Sequence, residues 1–280
     1  MHLGQRSSRA GNSYQGFQWE CGQSFAGFRC RHTKAITTGS FFDDVRMSWL
    51  TVWDLILHWF FQTPVIAASS QLKCGKDAAI DWYSFCREIC YEIVSEMDIC
   101  IGGVGLHVEI DETHLFKRKY NRGRILAAEH VWCFGGICRE SKEAFLHIVP
   151  DRSGNTLWPI IKRRVHPGTI ILTDSARVYN SLHQAERGGF QHYQVNHKRN
   201  FVLPSDSNVH TNTIERIWGL LKGMVKGPMN DAKLEMYLGE FIYRRHFFKS
   251  LSSMDKQTSG RFLKIFLEHV REIYPGLQNV

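Results

Sequence analysis

A chain of 280 residues with 43% hydrophobic content can bury a main domain and a smaller one, which excludes a disordered tail. The formal net charge of +8 exceeds what an ordinary cytosolic enzyme needs and suits a polyanionic partner, with nucleic acid the obvious candidate. The eight cysteines are scattered through segments that read as helix and strand, as reduced thiols of an intracellular protein are; no apolar signal region follows the first basic residues, and the Arg and Ser content before Glu20 imitates a transit peptide only weakly.

Residues 1–16 are polar and rich in Gly and Ser, so a disordered lead-in, or the remnant of a longer N-terminal module, is expected there. The run from Trp49 to Ala68 is strongly apolar, but Asp54 and His58 share a helical face and Pro64 interrupts it, which favours a buried helix over a membrane span. The pattern predicts one helix over Met47–Phe61, a short one over VIAASSQL, a break at Lys73-Cys74-Gly75, and a longer helix beginning KDAAIDWYSF. Short helix, tight turn and longer helix is the helix-turn-helix order, whose second helix enters a DNA groove; a plain three-helix packing unit gives the same pattern. Cys86 and Cys90, four apart, read as core.

The segment IGGVG at Ile101–Gly105 is the best domain boundary, giving a lead-in over 1–16, a helical DNA-binding region over 17–100 and a catalytic domain over 101–280. After it the period switches to two. Leu106, Val108 and Ile110 face one way, and His107, Glu109 and Asp111 the other, which predicts a half-buried strand with acids on its open face. Strands are expected at Val131–Cys138 and Ala144–Val149, a helix at Thr156–Val165, and a strand buried on both faces at TIILT, ending at Asp174. A helix over SARVYNSLHQAE, a strand near His192–Asn196, a helix over TIERIWGLLKGMV and terminal helices over Lys233–Ile273 complete an α/β layer structure with a mixed sheet. In the TIERIWGLLKGMV helix, Trp218 with Ile214, Ile217, Leu221 and Val225 reads as the core stripe.

Three acids on separate elements, Asp111, Asp174 and Glu215, are the donor set that two-metal phosphodiester chemistry requires, since magnesium takes hard oxygen ligands and leaves positions for water and phosphate. Each has a structural explanation as well. Periodicity does not choose among Glu109, Asp111 and Glu112; Asp174 stands where a helix cap would; Glu215 stands three residues after Asn212, as in a capping box. The basic cluster Lys117, Arg118, Lys119, Arg122 and Arg124 follows the first acid and suits phosphate contacts, or else a solvated hairpin.

The stretch HTNTIERIWGLLK, preceded by VNHKRNFV, resembles the closing signature of Merlin-type DDE transposases and their insertion-sequence relatives, in which a His-x-Asn-x-x-Glu run carries the final acid. IDETHLFKRKYNRGR, WCFGGICRE and PGTIILTDSARVYNSL resemble the segments around the family's first acid, its following strands and its second acid, over about Glu109–Phe247. The resemblance implies an RNase H-like fold preceded by the small helical region. It implies Asp111, Asp174 and Glu215 as ligands of two magnesium ions, with manganese as substitute, and His210 and Asn212 beside the site, with loop hydrogen bonding as their plainer role. Lys222, two turns beyond Glu215, is expected to touch DNA. The implied activity is cut-and-paste transposition of double-stranded DNA at terminal inverted repeats by hydrolysis and strand transfer. Joining two ends calls for a homo-oligomer, and likeness to animal elements implies the nucleus. A domesticated or decayed copy that only binds DNA is the alternative, and an RNase H-like nuclease acting on structured nucleic acid a third. Relatives often carry an N-terminal zinc ribbon; this chain has Cys21, Cys30 and His32 without a C-x-x-C pair, and no zinc is expected.

Overall fold

The computed structural model describes residues 2–5, 17–35, 37–43, 45, 47–118, 129–174, 178–179, 189–195, 210–248 and 256–275. Two compact units divide the chain, one of residues 1–93 with 251–280 and one of residues 94–250.

The first unit begins with short strands that the sequence reading did not anticipate. β1 (His2–Gln5), within the stretch expected to be a lead-in, pairs with β2 (Phe17–Glu20), which pairs with β5 (Thr33–Ala35). β3 (Ser24–Phe25) and β4 (Phe28–Arg29) form a hairpin whose turn, Ala26-Gly27, uses two positive φ angles. At its base the Cys21 thiol is held below its ordinary pKa by hydrogen bonds from the Gln23 backbone and the Cys30 side chain. The helices follow the predicted order: α1 (Trp49–Phe60), capped by Ser48, α2 (Val65–Gln71) and α3 (Lys76–Glu96). α7 (Lys256–Ile273) belongs to the same unit, where Phe262 stacks on Phe60 at 3.8 Å between ring centroids. α3 carries five acids (Asp77, Asp81, Glu88, Glu92, Glu96) against two bases (Lys76, Arg87), a charge that repels phosphate. Among the described residues no helix is long and apolar enough to cross a membrane, and no disulfide joins any of the eight cysteines.

The second unit is built on a five-stranded mixed sheet of order β10-β9-β6-β7-β8. β6 (His107–Arg118), β7 (Glu129–Cys138) and β8 (Ala144–Val149) run antiparallel, and β9 (Ile170–Asp174) and β10 (Gln191–Val195) are parallel to β6. α4 (Gly154–Arg164) packs Leu157 and Ile161 on one sheet face against Val108, Ile110, Phe134 and Ile171. On the other face α5 (Asn212–Met224) and α6 (Asp231–Phe247) bury Ile214, Ile217, Trp218, Leu221, Leu238 and Phe241 against Val131, Cys133, Ile137 and Leu146. The sheet is therefore covered on both sides. β6 has no open face: Glu109, expected at the solvent, is 0% exposed, because α5 lies over it.

Two local features shape the end of this sheet that bears Asp111. The register of β6 on β7 slips between His114 and Phe116, a bulge that returns Phe116 to the α5 face while His114 stays on the α4 face. Gly135, opposite Asp111 in the ladder, leaves room for the Trp218 ring: a Cβ there would lie 2.7 Å from both Trp218 and Leu146 and 2.9 Å from the Phe145 carbonyl. The segment Ile101–Gly105 is pinned to the α4–β9 connection. Ile101 N–H donates to Arg164 O, Gly103 N–H to Thr169 Oγ1 and Gly105 N–H to Gly168 O. Gly135→Ala is expected to lower stability by about 1–3 kcal/mol through overpacking and to displace the indole, read as a lower Tm with an altered tryptophan emission spectrum; an unchanged melt and spectrum would show that the site has slack.

Candidate active site

Asp111 and Asp174 come together because their strands are parallel neighbours. Glu109 pairs with Leu172, so the acids two residues further along each strand continue the same face, the one covered by α5. Glu215 reaches the region from the first turn of α5, on its exposed side. Asp111 is half-buried and is pushed up to about 6, first by burial and then by the repulsion of Asp174 and Glu215, against the lowering effect of the hydrogen bond from Trp218. That bond, Trp218 Nε1 to Asp111 Oδ2 at 2.9 Å, fixes one oxygen of the carboxylate and leaves the other unengaged by the indole. Thr211 Oγ1 lies 3.5 Å from Glu215 Oε1.

Glu112, the next residue along, points to the opposite face. It accepts from the Tyr179 hydroxyl and is pushed up to about 7, by burial first and by Asp111 and Asp174 next. The Tyr179 phenol is raised well above its ordinary value by its burial and by the same carboxylates. Among the described residues no three His, Cys, Asp or Glu side chains are gathered tightly enough to hold a metal ion. The carboxylates are near enough to repel one another and are all hard oxygen donors.

Behind the acids lies a network absent from the sequence reading. Arg139 Nε donates to Glu109 Oε1 at 2.5 Å, and its Nη2 lies 2.6 Å from His210 O and 2.9 Å from His210 Nδ1. Glu109 Oε2 accepts the Ile214 N–H at 2.8 Å, so the carboxylate caps α5 from another strand. Thr211, the N-cap residue, makes no side-chain cap bond, and Asn212 is the first helical residue, so the Asn212–Glu215 capping box considered from the sequence does not form. Burial and then Arg139 hold the His210 imidazole below its ordinary pKa, as befits a neutral ring whose Nδ1 also accepts the Asn212 N–H at 3.4 Å. The cue available in sequence was Glu109 itself, a third acid in the pattern Glu-x-Asp-Glu.

Of the basic residues, Lys222 is exposed on α5. Lys117 and Arg118 form the last rungs of β6 against His130 and Glu129, while Lys119, Arg122 and Arg124 lie outside the described residues.

A central antiparallel trio continued by two parallel strands, with helices on both faces, is the RNase H-like architecture expected from the sequence. The model of the ISXO2-like transposase domain matches residues 102–246, just over half of the chain, and the chain belongs to that family. An uncharacterized transposase-like protein of Haemophilus influenzae is 30% identical over 99 residues, 35% of this chain and 76% of that protein. Among solved structures, a chain of the simian T-cell lymphotropic virus intasome in complex with PP2A regulatory subunit B56 gamma is similar at 15% identity and a TM-score of 0.33, covering 66% of each chain. The HTLV-2 integrase catalytic core domain in complex with magnesium, in its trimeric form, is similar at 12% identity and a TM-score of 0.34, over 57% of this chain and 95% of that one.

Two measurements probe this geometry. Arg139→Met leaves the Glu109 charge buried with one partner fewer, and an urea titration is expected to show a loss of about 3–5 kcal/mol; a loss below 1 kcal/mol would mean that water replaces the guanidinium. The raised carboxyls also set a pH dependence. Asp111 and Glu112 bind protons more readily in the folded chain than in the unfolded one, so the stability their protonated forms supply is complete in acid, below their ordinary pKa values, and is lost as pH rises through about 6 and about 7. The metal-free Tm should therefore fall from about pH 5 to about pH 8, and the pair Asp111→Asn with Glu112→Gln should flatten that slope; an equally steep slope in the double variant would place the titration elsewhere.

Proposed function

We propose that this chain is a cut-and-paste DNA transposase of the Merlin branch, in which Asp111, Asp174 and Glu215 hold two divalent cations, magnesium or manganese. The observation that carries this reading is the placement of Asp111 and Asp174 on one face of adjacent parallel strands, close enough with Glu215 for mutual repulsion. Mutual repulsion among oxygen donors favours protonation or a bound cation, and the donor chemistry fits a hard divalent ion. When bound, such ions supply an activated attacking oxygen and a stabilised leaving oxygen for in-line displacement at phosphorus.

The chain's own residues do the positioning. Trp218 orients the Asp111 carboxylate, and the Glu109–Arg139 pair fixes the start of α5 and so the first turn that bears Glu215. His210 and Asn212, at that same start, flank the site and bond water or phosphate. Lys117, Arg118, Lys119, Arg122, Arg124 and Lys222 contact DNA phosphates on this reading, supported by the net charge of +8. The α2–α3 pair has the lengths of a helix-turn-helix, but the acidity of α3 turns us to the carboxylate-bearing unit for the main DNA contacts. Two transposon ends must be joined, so a homo-oligomeric synaptic complex is part of the proposal, as is a nuclear site of action, supported by the likeness of the motifs to animal elements.

The test is magnesium-dependent cleavage of duplexes bearing the element's ends by wild type, Asp174→Asn and Glu215→Gln. Cutting by wild type alone, with DNA binding retained by all three, is expected. Cutting that survives either substitution would overturn the triad, and binding without cutting by wild type would replace the proposal with a DNA-binding relic.

A further inference from the structure

On the sheet face away from Asp111, β6 and β7 carry a second cluster. His114 and Trp132 are paired in the ladder, and His130 lies two residues before Trp132 on the same face. Arg152, from the connection between β8 and α4, lays its guanidinium carbon 4.0 Å over the Trp132 ring centroid. The His130 ring lies nearly parallel to that of Trp132, 6.3 Å away at 21°, and His114 packs edge-on against both, at 4.8 Å from His130 and 5.5 Å from Trp132. Arg152 and His130 are exposed. The acid beside Arg152 is otherwise engaged: Asp151 Oδ1 accepts from Ser153 N–H and Thr156 Oγ1, each at 2.8 Å.

This cluster stands at the same end of the sheet as the carboxylates. Glu112, two residues before His114 on the same face, is influenced by Asp111 and Asp174 and also by Arg152. A guanidinium seated 4.0 Å over an indole is held from one side and still offers a planar fork of N–H donors, the geometry that grips a phosphate through two bonds. The hydrophobic core needs none of this, since a packing tryptophan there requires no stacked arginine.

We infer that Trp132, Arg152, His130 and His114 form a subsite that grips a backbone phosphate of the DNA strand next to the carboxylate site. The inference rests on the proposed transposase reading and adds to it a grip on the α4 face of the sheet, built from residues other than the basic run after Asp111. Arg152 supplies the charge and the fork. Trp132 supports the guanidinium from below, and the exposed imidazole of His130 adds a further donor.

Fluorescence anisotropy of the full chain with a labelled duplex, in calcium buffer that does not support cutting and across a range of salt, tests it. Arg152→Ala is expected to weaken binding about tenfold and to lower the slope of log affinity against log salt by about 1. Arg152→Lys should restore the slope while leaving part of the affinity loss, because the charge returns without the fork. Trp132→Leu should weaken binding with the slope kept. If wild type binds and Arg152→Ala binds with unchanged affinity and slope, the subsite is refuted while the transposase reading stands. If wild type itself does not bind duplex DNA, that reading fails and takes the subsite with it. Arg152→Glu, at an exposed position outside the core, is the second variant, and equal binding by it would overturn the inference independently.

Discussion

The buried carboxylate of Glu109 is the constraint on which the site depends. An ionised group taken fully out of water costs several kcal/mol unless its oxygens are paired. Here one oxygen meets Arg139, just past the end of β7, and the other meets the first-turn amide of α5. Those two bonds join residues 30 and 105 positions apart, and the same arginine holds the carbonyl of His210 just before the helix. The positive end of the α5 dipole meets the negative group in the same place. A helix that follows a long connection would otherwise be free to slide along the sheet. Capped from β6, it cannot move without stranding a charge.

From this anchor the remaining geometry follows by packing. With α5 fixed in height, Trp218 falls one turn further along, over the space that Gly135 leaves in β7, and its indole N–H reaches the carboxylate that Gly135 opposes in the ladder. The bulge at His114–Phe116 then lets β6 serve both faces: Phe116 joins the core under α5, while His114 stays beside Trp132 on the other side. Sheet, helix and carboxylates are thus one mechanical unit, tied by the Glu109 bond to α5 and the Trp218 bond to Asp111.

Periodicity alone placed β7, β8, β9 and α5 within a few residues and the start of β6, which runs on to Arg118 past the alternation read to Asp111, because alternation and the helical stripe are local patterns. What it misassigned depended on partners far along the chain. Glu109 alternates with apolar residues and so looked solvent-facing; only the arrival of α5, over a hundred residues later, buries it. The capping box at Asn212 failed for the same reason, since a carboxylate from β6 takes the amide that a local side chain was expected to take. Arg139 and Trp218 carry no signal of their own in one sequence, one reading as a turn residue after a strand and the other as core. The short strands before α1 were missed because two- to four-residue elements show too little period to detect.

Consecutive acids on a strand point to opposite faces, so Asp111 and Glu112 cannot play the same part. Asp111 turns toward Trp218 and α5, and Glu112 toward Tyr179. Both are raised, and both by burial before charge, which means that the fold keeps them partly dry at its own expense. A surface designed for stability alone would place no acid there, or would give each a basic partner. The half-buried Arg139 lies one layer back, on Glu109, while Asp111 feels the repulsion of Asp174 and Glu215 in front. Partly buried carboxyls with raised pKa values, side by side, are the pattern of a functional site more than of a face shaped for stability. The paired Glu109 sets the frame, and Asp111 and Glu112, each held by the donor of an aromatic side chain, stand on opposite faces at its edge.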